Sequence, residues 1–308
     1  MLSQTFTAWR LTVSENGPGD ADVALVLAPY LSDSRIEHVR TGRNLGAARN
    51  HTALIQRGEA PFVAILHDDD RWDPMFLERR VAFLDSHPAC GFVFGANVEI
   101  DADGAVISRW SLPWPEGPID REFFISREAR DNVLSPSATL VRRSAYEGVG
   151  SSFDERFTTF DWEMWIRLGL RGPVGYLARP DSAYRIHANQ NTARLTDYGA
   201  DMLRFYLHVE ELLRRELPQA LPGWRQRHRK RSAAGLTASL DALERSDRGA
   251  ALRYLVKAVI TYPPSVLDPR AYAAVAGLFF GRRAPSYLRG LRRLVRRRRY
   301  RIHLLRPW

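Results

Sequence analysis

The 308-residue sequence predicts an α/β fold with a mostly parallel sheet flanked by helices, followed by a helical C-terminal segment. Two patterns predict it. Over the first ninety residues, short apolar runs alternate with stretches of helical apolar spacing, as in strand–helix–strand units with parallel strands. Later, apolar positions recur at helical spacing and prolines mark the breaks. We therefore predict a mixed domain over 1–195, a helical segment over 196–281 and an Arg-rich amphipathic tail over 282–308.

The predicted elements of the mixed domain follow one another closely. Strands and helices alternate in its first part, with strands at 10–14, 36–40 and 62–66 and helices at 23–30, 44–57 and 74–86. The turn signal DADG separates two apolar runs, 91–100 and 105–110, and predicts a hairpin. The last predicted elements are strands at 137–141, 174–177 and 183–187 and a helix at 160–169. Right-handed crossovers would bring the carboxyl ends of the parallel strands to one crevice.

Composition narrows the class of protein. A sequence with 45% hydrophobic and 26% charged residues is typical of a folded globular chain. The single cysteine, Cys90, excludes an intrachain disulfide and is expected to be a packed thiol. No run approaches the roughly 20 apolar residues of a membrane-spanning helix, and MLSQTFTAWR lacks the features of a signal peptide. We expect a cytoplasmic protein.

The positive charge is concentrated at the C-terminus. Residues 282–308 contain 11 arginines and no acid, which exceeds the net charge of +10 of the whole chain. Apolar residues recur between these arginines at near-helical spacing, at Leu288, Leu291, Val295, Ile302 and Leu305. A basic amphipathic helix of this kind binds an anionic membrane surface, at the inner face in a cytoplasmic protein. A cationic tail without regular structure is an equal alternative, and nucleic acid is a weaker one because interleaved aromatic residues are missing.

Three consecutive acids, Asp68, Asp69 and Asp70, follow the apolar run 62–66. Such a run is typical of a buried strand, and ligands of open α/β sheets bind at the carboxyl ends of the strands. Three adjacent like charges require a cation or hydrogen-bond donors there. Carboxylate oxygens suit a hard divalent ion, whereas the alternative is a solvated turn that caps the next helix.

Five motifs carry a family resemblance. They occur in a fixed order as VSENGPGD at 13–20, NLGAARN at 44–50, HDDDRWDP at 67–74, FDWEMWIRL at 160–168 and YRIHANQNT at 184–192. Together they resemble family 2 of the glycosyltransferases over roughly residues 2–195. The resemblance implies the nucleotide-sugar-binding fold called GT-A. It further implies an inverting, metal-dependent enzyme with Mg²⁺ or Mn²⁺, a nucleotide-diphosphate sugar donor and a saccharide or lipid-linked acceptor, in surface polysaccharide or glycolipid synthesis.

The resemblance also implies roles for particular residues. Asp68 and Asp70 match the metal-binding D-x-D segment, in which His67 occupies the place of the first acid of the family. Asp161 matches the catalytic base, although Phe160 replaces the usual preceding acid and a helix cap is the alternative role. The donor-binding residues implied are Glu15, Asn44, Arg49, Asp68, Asp69, Arg185 and His187. Glu15 is one methylene longer than the aspartate of the family.

The sequence leaves two alternative functions open and differs from the family in one respect. A sugar nucleotidyltransferase would share the sheet and the acids, and a decayed transferase domain could serve only to bind a membrane or nucleic acid. The family normally begins with a strand and a helix upstream of the position that matches Met1. We expect about 25 residues to be missing there, judged from typical element lengths. A sheet without that interior strand would expose two ladders of backbone groups.

Overall fold

The structure is a computed structural model that describes residues 1–187, 190 and 197–280. Two compact units are present. Unit 1 comprises Met1–Glu128, Val133–Arg156 and Phe160–His187, and unit 2 comprises Ala129–Asn132, Phe157–Thr159 and the chain from Ala188 onward. The predicted boundary at 195, most of the segment 188–192 and the basic tail 282–308 lie outside the described residues.

Unit 1 contains nine strands and six helices among its described residues. The strands are β1 (Leu11–Glu15), β2 (Ile36–Arg40), β3 (Phe62–Ala64), β4 (Arg71–Trp72), β5 (Phe92–Ile100), β6 (Val106–Trp110), β7 (Gly117–Ile119), β8 (Thr139–Arg142) and β9 (Val174–Arg185). The helices are α1 (Ala21–Leu27), α2 (Ala47–Arg57), α3 (Phe76–Ser86), α4 (Arg121–Glu128), α5 (Arg143–Gly148) and α6 (Phe160–Gly169). The α/β class is confirmed.

The strand directions are more mixed than the sequence predicts. β1 and β2 pair in parallel, as expected, but in a separate two-stranded sheet. The larger sheet has the order β3-β8-β5-β9-β4, with β6 beside β5 and β7 beside β9. Only β5 and β9 pair in parallel in it, so the prediction of a mostly parallel sheet is wrong. The tight turn after β5 reverses the chain, and β8 runs opposite to both β3 and β5.

The two sheets are separate within residues 1–187, since β1 pairs only with β2 and β3 pairs only with β8. Within residues 1–187, no strand pairs with both β1 and β3. All five residues of β1 are half-buried. In β5, at the centre of the larger sheet, the first six of the nine residues are all buried. The interior of unit 1 is therefore built around β5.

Aromatic side chains fix α4 and α6 against β5. The ring centroid of Phe92 lies 5.6 Å from that of Phe124 and 5.9 Å from that of Trp165. A methyl group at Gly169 would approach Phe124 to 2.5 Å, so the absence of a side chain lets α6 pack closely on α4. Each fully buried aromatic or aliphatic side chain contributes about 1.5–3 kcal/mol. This packing sets the position of Asp161 at the start of α6.

A buried ion pair fixes α3, the helix that follows the acidic segment. Arg80 is fully buried, and its Nη1 donates to Asp181 Oδ2 at 2.8 Å. Its Nη2 also donates to the carbonyl oxygen of Ala138 at 3.0 Å. A Cβ at Gly95 would lie 2.5 Å from that Nη2, so β5 leaves the space that the guanidinium occupies. Removing the charge of Asp181 would leave the fully buried guanidinium of Arg80 without its carboxylate partner.

Unit 2 is helical, which confirms the predicted C-terminal segment. Its helices are α7 (Tyr198–Glu216), α8 (Trp224–Glu244), α9 (Arg248–Thr261) and α10 (Pro269–Phe280). Leu236 and Leu240 of α8 pack with Leu255 of α9 and Ala274 of α10 in one apolar cluster. No helix within residues 1–187 and 197–280 combines the length and hydropathy needed to cross a bilayer.

Candidate active site

The loop between β3 and β4 gathers three potential metal ligands. His67, Asp69 and Asp70 each place one ligand atom within 4.8 Å of the others. The carboxylate of Asp70 is fully buried, and its Oδ1 accepts a hydrogen bond from the backbone N–H of Arg185 at 2.9 Å. Its Oδ2 is buried without a hydrogen-bond partner. An imidazole and two carboxylates, one of which has an unpartnered buried oxygen, form a donor set that fits Mg²⁺ or Mn²⁺.

Burial raises the pKa of Asp70, because its charged form is removed from water. The nearby Ser137 hydroxyl and the hydrogen bond from the N–H of Arg185 act in the opposite direction, as does the positive form of His67. A bound cation would act in that direction too. Without a bound cation the pKa of Asp70 is raised overall, so the surrounding groups compensate its negative charge only in part.

Ser137 fixes the shape of this loop from a distant part of the chain. It is buried, and its Oγ accepts a hydrogen bond from the N–H of His67 at 3.2 Å. Its carbonyl oxygen accepts one from Trp72 Nε1 at 2.5 Å. The short 3₁₀ turn Pro136–Ala138 that precedes β8 therefore supports both ends of the acidic segment.

The end of β9 supplies two of the predicted donor-binding residues. His187 Nε2 lies 3.0 Å from Asp69 Oδ2. The guanidinium of Arg185 donates to the carbonyl oxygens of Asp69, Asp101 and Ala102 at 2.8–2.9 Å. Both residues thus adjoin the acidic loop, as the resemblance implies, and Arg185 also holds its backbone in place.

Asp68 lies outside the cluster. Its side chain is exposed, whereas Asp69 is half-buried and Asp70 is buried. The structure therefore groups Asp70 with Asp69 and His67, while the sequence pairs Asp70 with Asp68. His67 directly precedes the acids in the sequence. This position is a signal that it is a candidate metal ligand, since neutral imidazole is a common one.

Asp161 is the second residue of α6 and is half-buried. Burial raises the pKa of its carboxyl, while the backbone N–H of Trp162 and the positive form of His67 lower it. The interaction with His67 places Asp161 within electrostatic reach of the acidic loop. A carboxyl with a raised pKa near a candidate metal site is suited to general base catalysis near neutral pH.

An aromatic wall lies beside His67 and the start of α6. The ring of His51, on α2, lies 5.9 Å from that of His67, 5.3 Å from that of Phe160 and 5.6 Å from that of Phe153. Burial lowers the pKa of His51, which favours its neutral form. Motif reading missed both His51 and Ser137, because neither stands next to an acid.

The other predicted donor-binding residues gather where β1 and β2 end. Glu15 Oε2 accepts from Arg40 Nε at 3.0 Å and lies 3.1 Å from His38 Nε2. Asn44 Oδ1 accepts from the N–H of Gly46, whose φ of +81° suits glycine, at 2.8 Å. Arg49 forms an exposed ion pair with Glu155. Glu15, Asn44 and Arg49 thus have protein partners in the absence of ligand.

Helix α2 connects this group to the acidic loop. At its start, Ser14 Oγ donates to Asn50 Oδ1 at 2.6 Å and ties the helix to β1. The next residue, His51, contacts His67. Residues from the first three motifs therefore adjoin one another in unit 1.

The sequence of this unit matches a known family. Residues 1–150 match the family model described as glycosyl transferase family 2. This match covers 150 of the 308 residues. It confirms the resemblance to family 2 over the first three motifs, and it extends over β1–β8 and the acidic loop.

Two similar proteins are a putative glycosyltransferase and an uncharacterized protein. The chain is 24% identical over 224 residues to a putative glycosyltransferase, EpsE, of Bacillus subtilis, covering 71% of this chain and 76% of EpsE. It is 25% identical over 149 residues to the uncharacterized protein Rv1520 of Mycobacterium tuberculosis, covering 47% of this chain. That match spans 40% of the length of Rv1520.

A solved structure has the same fold. The fold resembles that of S. aureus TarS residues 1–349 in complex with UDP-GlcNAc, with a TM-score of 0.60 and 14% identity. The match covers 91% of this chain and 80% of that one. The GT-A fold class that the sequence predicts is thereby confirmed.

Proposed function

We propose that this protein transfers a glycosyl group from a nucleotide-diphosphate sugar to an acceptor hydroxyl, with inversion at the anomeric carbon. The observation that carries the proposal is the buried carboxylate of Asp70, whose Oδ2 has no hydrogen-bond partner and which adjoins Asp69 and His67. The match of residues 1–150 to the family 2 model supports the same chemistry.

Asp70, Asp69 and His67 would hold a divalent cation, and the exposed Asp68 remains a further candidate. Mg²⁺ or Mn²⁺, when bound, stabilises the negative charge that develops on a departing diphosphate. The N–H of Arg185 and the Ser137 hydroxyl form hydrogen bonds with this loop and so orient the candidate ligands. Arg185 and His187 would contact the donor beside it.

Asp161 is the proposed base. Its carboxylate takes the proton of the acceptor hydroxyl while the acceptor oxygen bonds to the anomeric carbon. The bond from that carbon to the diphosphate oxygen breaks on the opposite face, and the electron pair leaves with the nucleoside diphosphate. The raised pKa of Asp161 supports this role, because a base whose pKa lies closer to neutral pH accepts a proton more readily.

Donor recognition is assigned to the end of the β1–β2 sheet. Glu15, Asn44 and Arg49 would bind the nucleotide, which requires them to exchange their present protein partners for the ligand. UDP-sugars and UDP-GlcNAc in particular are the first donors to test, given the ligand of TarS. A saccharide or lipid-linked acceptor is proposed, with the Arg-rich tail 282–308 holding the enzyme peripherally on an anionic membrane surface.

The Asp161→Asn variant tests the proposal, with Asp120→Asn as the matched control. Asp120 is exposed and caps α4 by accepting hydrogen bonds from the N–H groups of Glu122 and Phe123 at 2.7 and 3.1 Å. Asp161→Asn should lower turnover about 10²- to 10⁴-fold and leave donor affinity unchanged, whereas Asp120→Asn should keep turnover. Unchanged turnover in Asp161→Asn would exclude it as the base.

Product analysis separates the rival enzyme class. Glycosyl transfer releases a nucleoside diphosphate and leaves a glycosylated acceptor. A sugar nucleotidyltransferase instead consumes a sugar phosphate and a nucleoside triphosphate and releases pyrophosphate. Pyrophosphate release with no glycosylated product would overturn the proposed function.

A further inference from the structure

Helix α9 of unit 2 carries an apolar row on its exposed side. Leu252, Val256 and Ile260 follow one another at a spacing of four residues, so they lie on one side of the helix. Their exposed fractions are 51%, 48% and 74%. The buried side of α9 is separate, because Leu255 and Ala258 pack in the core of the unit.

The exposed apolar residues continue beyond α9. The 3₁₀ segment Pro263–Leu267 exposes Val266 and Leu267, and α10 exposes Tyr272, Val275 and Phe279. Of the twenty large apolar side chains exposed in the described residues, nine lie between 252 and 280. Single exposed apolar residues are ordinary, whereas a concentration of them in one segment of the chain favours an interaction surface. We call these nine residues the apolar surface; they are Leu252, Val256, Ile260, Val266, Leu267, Tyr272, Val275, Phe279 and Phe280.

The charged residues in the segment that carries the apolar surface are mostly positive. Arg253 and Lys257 are exposed on α9 next to the apolar row. The range 248–280 contains a single acid, Asp268, and it is paired with Arg270 at 2.6 Å. The sequence that follows adds 11 arginines and no acid. Exposed apolar side chains flanked by cations are the chemistry that binds an anionic lipid surface.

A second copy of the chain is a poorer occupant. Pairing two such surfaces would bring Arg253 and Lys257 of each copy toward like charges, which opposes association. Anionic headgroups instead attract these cations, while the apolar side chains enter the boundary between headgroups and acyl chains.

We propose that α9, the segment Pro263–Leu267 and α10 form a membrane-binding surface that inserts the apolar surface into the interface of an anionic bilayer. It acts in addition to the Arg-rich tail, because its apolar contacts come from folded helices of unit 2. This inference rests on the proposed function in one respect, which is that membrane binding would give the enzyme access to a lipid-linked acceptor. Lipid binding itself is measured without donor or acceptor.

The test measures binding of the full chain to vesicles of phosphatidylcholine with and without about one third phosphatidylglycerol. Ile260→Glu should weaken binding to the anionic vesicles at least about tenfold, because it places a charge where an apolar side chain is buried in lipid. Leu25→Glu is the matched control, since Leu25 is 72% exposed on α1 of unit 1. It should bind vesicles as the unmodified chain does.

A second pair of variants tests the charge contribution. Arg253→Gln and Lys257→Gln should each weaken binding to anionic vesicles about fivefold at low salt, and binding to pure phosphatidylcholine should be weak for every variant. Melting curves and donor-induced thermal shifts of the same variants should match those of the unmodified chain.

Two results would overturn the membrane assignment. One is equal vesicle binding by Ile260→Glu and the unmodified chain. The other is a loss of self-association in Ile260→Glu, measured by light scattering without lipid, which would identify the surface as a contact between copies. Because donor binding is measured separately, failure of this inference is distinguishable from failure of the glycosyltransferase proposal.

Discussion

Asp161 is the residue on whose protonation state the proposed reaction depends. Burial raises its pKa, so the carboxylate needed as a base forms at higher pH than it would for an exposed aspartate with a pKa of about 3.9. We predict that turnover rises with pH through this raised pKa. The pH profile of kcat measures it, and a rate that is constant down to the ordinary aspartate pKa would contradict the assignment.

The same shift predicts how Asp161 affects stability. A folded-state pKa above the unfolded value means that the carboxyl stabilises the fold when protonated, and that this stability is lost as pH rises through the folded pKa. At neutral pH, Asp161→Asn should therefore melt at a higher temperature than the unmodified protein while losing turnover. Melting curves at several pH values check this, and a lower melting temperature would indicate that Asp161 mainly serves the fold.

Asp68 separates the structural and the motif-based assignments of the metal ligands, because both assignments include Asp70. Asp70 is buried with an unpartnered oxygen, whereas Asp68 is exposed outside the cluster. We predict that Asp70→Asn weakens Mn²⁺ binding by at least the roughly 10- to 100-fold that loss of an outer-shell partner costs. Asp68→Asn should weaken Mn²⁺ binding less, and Asp103→Asn, at an exposed position, should leave Mn²⁺ binding unchanged. Calorimetric titration with Mn²⁺ measures all three, and a loss of affinity in Asp68→Asn as large as that in Asp70→Asn would favour the motif-based pair of ligands.

The limit of prediction at the residue scale is visible in the partners of the acidic loop. The acids themselves are evident from sequence, because they follow an apolar run. Ser137, which accepts the hydrogen bond of His67, lies 70 residues away and belongs to no recognisable motif. The carbonyl oxygens that bind the Arg185 guanidinium carry no side-chain signature either. Such contacts depend on how the chain folds.

At the scale of elements, close helix contacts depend on small residues. Gly199 lies in the first turn of α7, where an added Cβ would lie 2.1 Å from the backbone nitrogen of Ala238 on α8. We predict that Gly199→Ala destabilises the protein by about 1–3 kcal/mol or more, since neither backbone can yield without shifting a helix. The control, Gly249→Ala, meets only ordinary contacts near the start of α9 and should stabilise by up to about 1 kcal/mol. Urea unfolding compares them, and equal midpoints would contradict the packing of α7 on α8.

The sequence predicts well those helices and strands that have a clear apolar period and clear end signals. The helix over 160–169 and the strand over 36–40 have the predicted bounds, and the hairpin of β5 and β6 is confirmed. The two closing strands instead form one strand, β9, because Pro180 does not end it. The register against β5 shifts between Gly95 and Asn97, which absorbs the residues around that proline.

At the scale of the whole molecule, strand direction is the feature that sequence patterns predict least well. Alternating strands and helices indicated parallel pairing, and β1 with β2 follows it. β8 comes from a later part of the chain, yet it pairs antiparallel with both β3 and β5. Its place depends on long-range packing, such as the contacts of Ala138 with the buried Arg80, and not on local spacing.

The central claim is that the protein binds a nucleotide-diphosphate sugar together with a divalent metal. The most direct measurement is a thermal-shift screen of the full chain against UDP-, GDP- and other nucleotide sugars, with and without Mn²⁺. A donor at about one hundred times its Kd stabilises by about 2.7 kcal/mol, which raises the melting temperature measurably. We predict such a shift for at least one donor, dependent on Mn²⁺ and lost in Asp70→Asn. The absence of a shift with every donor, in the presence of Mn²⁺, would contradict the claim.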